Sequence, residues 1–279
     1  MIIGDRRPSP APVGTWGAGK VLALLVAGAM AGLLLLVGLG LAIYYGLDPS
    51  QVAGKAASKV QSQAAAPGPR APGDRQRARR DDLAAAPMRT ASPADAQPAA
   101  LSTRDPGSIA LPRAAGAGAA GVPAGFAHTP AGALAQLSGI DKAALESASL
   151  GGARDVIRGW AAPGGPTAAT WSGVRAMADF LSAAGLSAGK TPDLALSATP
   201  LMGLVKATDG GDWVVACVDF EVDATLARTA RVAVADCQRM AWAAGRWVIG
   251  PGAEPAPAPS IWPGTDAAID AGYKELRSE

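Results

Sequence analysis

The sequence contains a single histidine, His128, among 279 residues. One histidine excludes a metal site built on several histidines and a catalytic triad that draws on more than one. His128 itself is expected to make a local capping or packing contact. Aromatic residues make up only 5% of the chain, and the net charge is +2. So small a charge gives no case for nucleic-acid binding by the whole chain, and no specific nucleic-acid partner is predicted.

Charge is missing altogether from residues 21–47, VLALLVAGAMAGLLLLVGLGLAIYYGL. A bilayer core requires about 20 apolar residues in a helix, so this run predicts a single transmembrane helix. Trp16 and Lys20 at one end, and Tyr44 and Tyr45 at the other, are the expected interfacial anchors. The lipid bilayer is therefore the first expected partner.

A cleaved signal peptide is the alternative interpretation of this run. Its apolar region would be only about 7–15 residues long, and a small-residue cleavage site would follow it. Residues 21–47 are longer than that, and Asp48, Pro49 and Ser50 come next. An uncleaved anchor is therefore predicted. Gly28 and Gly32 form a small-xxx-small pair within it, which would allow self-association.

The basic residues beside the run bear on its orientation. Arg6, Arg7 and Lys20 precede it, whereas Lys55 and Lys59 lie further out on the other side. The positive-inside rule then places residues 1–20 in the cytoplasm and the C-terminal part outside it.

The stretch GTWGAGKV, residues 14–21, resembles a phosphate-binding loop. Val21 stands where that motif needs Ser or Thr for Mg²⁺, and no strand precedes it. The apolar residues 21–47 follow this stretch directly, whereas a nucleotide-binding loop needs a soluble helix after it. No nucleotide or other cofactor is predicted.

Residues 48–124 lack aromatic side chains and are rich in Ala, Pro, Gly and Arg. Such a segment buries too little apolar surface to offset chain entropy, so it predicts a disordered tether. Residues 75–80, RQRARR, are either a contact for a polyanion or a solvated charge cluster. Asp74, Asp81 and Asp82 bracket them and favour the solvated cluster.

Residues 125–250 predict the folded domain. Thr129 and Pro130 signal the start of a first helix, residues 153–160 form a second, and Thr167 is expected to cap a third. Strand patterns follow, with a break at Pro200 that indicates a bulge or an edge, and a tight turn near Gly245. The expected fold is α+β, with three helices packed on a curved antiparallel sheet.

Beyond the predicted domain, residues 251–263 are proline-rich and predict a bridge. Residues 264–279 predict a C-terminal helix, capped by Thr265, that docks on the domain through Ile269, Tyr273 and Leu276.

Cys217 and Cys237 lie on the two longest predicted strands. If the hairpin turns around Ala227, the two cysteines face each other, as do Phe220 and Val234. A disulfide and two buried thiols are both compatible with this register. An extracytoplasmic location would favour the disulfide.

Asp219, Glu221 and Asp223 alternate along one of these strands and share a face. A row of carboxylates can supply a general base. That face is opposite the apolar one, however, so a solvated surface with Arg231 paired to Asp223 is expected. No catalytic residue and no metal ligand is predicted.

One segment resembles a known group. The motif G-F-x-H-T-P-x-G-A is similar to one in actinobacterial single-pass membrane proteins of unknown function, often encoded on conjugative elements. It comprises Gly125, Phe126, His128, Thr129, Pro130 and Gly132. The layout is also similar to the bitopic scaffold subunits of type IV secretion and conjugation machines, whose domains have the cone fold of nuclear transport factor 2.

These resemblances imply a non-enzymatic assembly component in a bacterial plasma membrane, with other membrane or envelope proteins as partners. The alternatives are a small-ligand-binding or enzymatic cone and a cell-envelope anchor with no transfer role. A buried carboxylate inside the cone would favour ligand binding, and a closed apolar cone would favour assembly.

Overall fold

The computed structural model describes residues 72–187, 191 and 193–279. The predicted cytoplasmic tail, the membrane helix, its anchors Trp16, Lys20, Tyr44 and Tyr45, and the Gly28/Gly32 pair all lie outside this range. Within it, no helix has the length and apolar character needed to cross a bilayer.

Three helices form one layer: α2 (Pro130–Glu146), α3 (Leu150–Trp160) and α4 (Ser172–Ala183). The helix α2 begins as predicted, because the Thr129 hydroxyl accepts a hydrogen bond from the Gly132 N–H at 3.0 Å. The predicted cap at Thr167 is wrong. Its backbone N–H bonds the Thr170 hydroxyl at 2.9 Å, which closes a turn, and the helix starts only after it.

Four antiparallel strands form the meander that the alternating pattern predicts. They are β4 (Ala195–Thr208), β5 (Trp213–Thr225), β6 (Thr229–Ala243) and β7 (Arg246–Ile249). The predicted bulge is present, because the pairing of β4 with β5 slips between Pro200 and Met202. The predicted tight turn is present too, with positive φ at both Ala244 and Gly245.

The helices pack on one face of this curved, half-barrel sheet, so the predicted α+β class is confirmed. Val214, Val218 and Phe220 project from β5 into a core that also holds Leu137 and Ile140 of α2. Each is at most 1% exposed. Burying such side chains stabilises the fold by about 1.5–3 kcal/mol apiece.

The prediction of a linker over residues 48–124 is wrong for the part that the structure describes. Residues 72–124 form the helix α1 (Pro72–Ala85) and three short strands, which are β1 (Ser108–Leu111), β2 (Gly116–Ala117) and β3 (Pro123–Ala124). Strands β2 and β3 pair with each other, and Ala119–Gly121 between them form a 3-10 turn. Ala84 in this segment is fully buried although its side chain is small. The segment therefore docks on the domain while it buries little apolar surface of its own.

The predicted helix over 264–279 is also wrong beyond residue 270. Helix α5 covers only Asp266–Asp270, capped by Thr265 as predicted, and β8 (Lys274–Ser278) follows it. Strand β8 lies between β1, to which it is parallel, and β4. A β-carbon on Gly203 of β4 would lie 2.9 Å from the end of the Leu276 side chain, so β8 packs closely on β4 at this glycine.

The second face of the sheet is covered by the segments that the sequence assigned to a tether and a bridge. Met202, Trp213 and Val215 of the sheet are buried against Ile261 and Tyr273. Backbone hydrogen bonds fix the cover, with the Trp262 N–H donating to the Asp95 carbonyl and the Ala233 N–H to the Ala96 carbonyl. The sheet is therefore enclosed on both faces.

Candidate functional site

The motif residues form the loop that leads into α2 and its first turn. Gly125 has φ of 78°, a left-handed conformation that favours glycine. A β-carbon on Gly132 would lie 1.9 Å from the carbonyl oxygen of Ala127. Phe126 is buried, and Pro130 opens the helix behind its threonine cap. These residues therefore have structural roles at the entry to the helix.

His128 is the exception, because its side chain remains 40% exposed. Its ring stacks on Trp242 with centroids 4.2 Å apart, and its Nε2 lies 2.8 Å from a carboxylate oxygen of Asp212. Trp247 meets both rings edge-on and donates its indole N–H to the Ala127 carbonyl at 3.0 Å. The expectation of a local packing contact is confirmed. We call His128 and Trp242 the aromatic surface.

Cys217 and Cys237 face each other in the register that the alternation predicts, and a disulfide joins them. Both are buried, at 0% and 4% exposure. The Met88 sulfur, from the segment predicted to be a tether, lies 3.9 Å from Cys217 Sγ and 3.5 Å from Cys237 Sγ. The disulfide is therefore shielded from solvent by the N-terminal segment.

The carboxylate row on β5 is only partly the solvated surface that was expected. Arg231 forms ion pairs with Glu221 and, at 3.3 Å, with Asp223. Asp219 is instead fully buried, and neither of its oxygens has a hydrogen-bond partner. The solvated interpretation is wrong for Asp219, because residues 251–263 cover that end of the strand.

Burial raises the pKa of Asp219 to about 9. The Ile261 N–H opposes this shift in part, although it does not meet the geometry of a hydrogen bond. Asp219 is therefore neutral at pH 7. Burial also raises the pKa of Tyr273, whose hydroxyl donates to the Pro259 carbonyl at 3.0 Å.

Two further carboxyl groups lie on the helix side of the sheet, and the sequence interpretation missed both. Asp141 on α2 is 5% exposed, and one of its oxygens is buried without a partner. Asp236 on β6 is half-buried and accepts a hydrogen bond from Gln238 Nε2 at 2.8 Å. Each interrupts an apolar pattern, Asp141 after Leu137 and Ile140, and Asp236 after Val234. Those interruptions were the available signal.

Both pKa values shift upward. Burial raises the pKa of Asp141, and the nearby Asp236 raises it further. Burial also raises the pKa of Asp236 to about 6, against the hydrogen bond from Gln238, and Glu254 adds to the rise. The charge of Asp236 and the burial of Asp141 thus both disfavour the ionised form of Asp141.

One arginine of the basic cluster, Arg80, helps to dock α1, whereas residues 75–79 are exposed. Arg80 Nε donates to the Asp209 carboxylate at 2.7 Å, and its guanidinium lies 5.5 Å from the Trp213 ring centroid. Asp81 pairs with the buried guanidinium of Arg239. Arg75 stays exposed. In the described ranges, no group of three histidine, cysteine or carboxylate side chains is arranged to hold a metal ion.

Comparisons of the chain with protein families, with curated proteins and with solved structures find no match. The function is therefore inferred from the residues and geometry of the chain itself.

Proposed function

We propose that the chain is a single-pass membrane protein whose folded part, residues 72–279, lies outside the cytoplasm and acts as a non-enzymatic assembly component. The apparatus would be a conjugation or secretion machine of a mobile element, and the partners would be other membrane or envelope proteins. The observation that carries this proposal is the disulfide between Cys217 and Cys237.

Disulfides form and persist in oxidising compartments and are rare in a reducing cytoplasm. The uncharged run of residues 21–47 supplies the predicted anchor, and the basic residues before it favour a cytoplasmic N-terminus. A membrane-anchored domain that carries a disulfide fits the outer side of the plasma membrane.

The fold supports assembly because its sheet is covered by its own chain on both faces and most of its core is apolar. The order of elements, three helices and then a four-stranded meander, is the order in the cone fold of nuclear transport factor 2, which we propose for this domain. The half-exposed His128 and Trp242 provide an aromatic surface of the kind enriched in protein interfaces.

A single-cysteine reporter tests the topology. Arg228 is exposed at the tip of the hairpin between β5 and β6, so Arg228→Cys provides a reactive thiol that the buried disulfide cannot mimic. We expect a membrane-impermeant maleimide to label this variant in intact cells. The matched control, Ser9→Cys in the predicted tail, should react only after lysis. The reverse pattern would refute the extracytoplasmic assignment.

Site-specific photo-crosslinking tests the assembly role. A photoreactive residue at Trp242 should give a discrete adduct with another membrane or envelope protein, identified by mass spectrometry. The same residue at Arg228, at the tip of the other hairpin, is the control. Identical adducts at both positions, or none at either, would contradict a specific role for the aromatic surface.

Binding of a small ligand is a second candidate function, and one observation favours it. Asp141 and Asp236 place two carboxyl groups between α2 and the sheet, where a purely apolar cone would have none. Buried carboxyls with raised pKa values are concentrated at functional sites.

A further inference from the structure

The sulfur atoms of Cys217, Cys237 and Met88 lie together on the second face of the sheet. The Met88 sulfur is 3.5 Å from Cys237 Sγ and 3.9 Å from Cys217 Sγ, and all three residues belong to the apolar cluster on that face. A thioether suits this position, because it is polarizable and packs without a hydrogen-bond donor. Met88 therefore packs directly on the disulfide.

Met88 is also the most accessible methionine of the described ranges. Its side chain is only half-buried, whereas Met177, Met202 and Met240 are at most 3% exposed. Oxidation of sulfur side chains follows their exposure to the oxidant. An oxidant in solution therefore reaches Met88 before it reaches the three buried methionines.

The Met88 side chain is the main contact that holds its part of the chain against the sheet. Residues 87–91, which we call the Met88 loop, form no backbone–backbone hydrogen bond within the described ranges. Met88 and the small side chain of Ala91 are the loop residues that pack on the apolar cluster. Arg89 pairs with Asp270 at 3.5 Å, but both side chains are about half exposed, and such pairs contribute little. The position of the loop therefore depends on an apolar Met88.

Oxidation makes Met88 polar. A peroxide transfers one oxygen atom to the thioether sulfur, so that its O–O bond breaks, an S–O bond forms, and hydrogen peroxide leaves as water. The sulfur loses two electrons, and the peroxide gains them. The new sulfoxide oxygen requires a hydrogen-bond donor, which neither a disulfide nor an aliphatic side chain provides. A buried acceptor without a donor shifts the balance toward a lifted loop by roughly 5- to 150-fold.

We propose that Met88 is an oxidation site that controls access to the disulfide between Cys217 and Cys237. The loop covers the disulfide while Met88 is a thioether, and it lifts when a peroxide converts Met88 to the sulfoxide. A dithiol in solution then reaches the disulfide. One of its thiolates attacks a cysteine sulfur, the S–S bond breaks, and the second thiolate resolves the mixed disulfide, which leaves two cysteine thiols and an oxidised dithiol. Such control goes beyond the assembly role and does not depend on it.

Peroxide treatment of the full chain in detergent micelles tests this site. The protein is exposed to hydrogen peroxide, the excess is removed with catalase, and peptides are mapped by mass spectrometry, which distinguishes Met88 from Met1 and Met30. We expect Met88 to be oxidised well before the three buried methionines. Dithiothreitol should then reduce the disulfide faster by roughly 5- to 150-fold, as followed by maleimide capture of the new thiols.

Two substitutions of Met88 separate its oxidation from other effects of peroxide. Met88→Leu keeps an apolar side chain of similar volume that peroxide does not oxidise, so its disulfide should be reduced slowly before and after treatment. Met88→Gln places a polar amide at the same position and should give fast reduction without peroxide. Met177→Leu, in the helix-side core, is the matched control and should respond to peroxide as the wild type does.

Three results would overturn the proposal. Met88 could be oxidised no faster than the buried methionines, or its oxidation could leave the rate of disulfide reduction unchanged. The third is a Met88→Leu variant that responds to peroxide as strongly as the wild type, which would place the sensitive residue elsewhere. The first two are measured on the wild-type chain, so they stay decisive even where a variant does not fold.

Discussion

Asp219 gives the most direct test of how this fold is enclosed. Its pKa is 3.8 when unperturbed and about 9 in the folded protein, because the carboxyl is fully buried. In the unfolded chain it ionises above about pH 4, whereas in the folded protein it stays protonated to about pH 9. The native state therefore binds more protons across this window, and stability falls as pH rises.

The size of this effect follows from the shift. Each pKa unit corresponds to 1.36 kcal/mol, so at pH 7 the buried carboxyl costs the native state roughly 4 kcal/mol relative to pH 4. Asp219→Asn removes the titration but keeps the shape of the side chain. We expect the free energy of unfolding of the variant, relative to that of the wild type, to rise by roughly 4 kcal/mol between pH 4 and pH 7.

Urea unfolding followed by tryptophan fluorescence, at several pH values in micelles, measures this difference. The slope with pH is diagnostic, because the asparagine amide has its own cost of burial at every pH. Asp179→Asn, at an exposed position, serves as the control and should leave the slope unchanged. If the curves for wild type and Asp219→Asn run parallel, Asp219 is solvated and the cover over this face does not exclude water.

Three further changes test other parts of the fold in the same unfolding assay. Replacing both Cys217 and Cys237 by alanine should lower stability by about 3 kcal/mol, because the disulfide spans a sequence separation of 20. Gly132→Ala should lower it by about 1–3 kcal/mol, because the new β-carbon would collide with a backbone carbonyl oxygen. Asp81→Ala should lower it by about 1–2 kcal/mol, because a guanidinium that is 5% exposed loses its carboxylate.

Matched variants isolate each cause. Gly151→Ala adds a β-carbon with no atom within 4 Å and should not destabilise the chain. Asp82→Ala removes an exposed neighbour of Asp81 and should have little effect. For the cysteines, the wild type after full reduction should match the double alanine variant. A stable reduced protein would show that the cover, rather than the covalent bond, fixes the hairpin.

Local chemistry predicted the helix α2 and the hairpin of β5 and β6. A capping threonine followed by proline specifies a helix start without reference to the rest of the fold, and alternation over a long strand pair fixes register. The facing of Cys217 and Cys237 could therefore be predicted from the sequence. The oxidised state could not, since it depends on the compartment.

The cover over the second face could not be predicted, because small and extended residues leave no periodic signal. Ala84 and Ala96 are buried although they carry little apolar surface. Ile261 and Trp262 are isolated anchors in a proline-rich stretch, and such spacing matches neither a helix nor a strand. The burial of Asp219 was missed for the same reason. The alternating pattern of its strand predicts one apolar face and one solvated face, and residues 251–263, which cover the second face, carry no periodic signal.

The C-terminal strand was missed because a five-residue run is ambiguous between helix and strand until its partners are known. Strand β8 takes its conformation from β1 and β4, which are distant in sequence. Asp141 and Asp236 were missed because each residue is a single interruption of an apolar pattern, and only the tertiary fold places both on the helix side of the sheet.

The position of β8 also sets the order in which the chain acquires its structure. Strand β1 pairs with the sheet only through β8, which follows it by more than 160 residues. During synthesis, β1 therefore emerges long before the strand that will receive it, and pairings of such high sequence separation form slowly. A nascent chain that has reached β7 can complete the central meander, but its β4 edge remains open until residues 274–278 arrive.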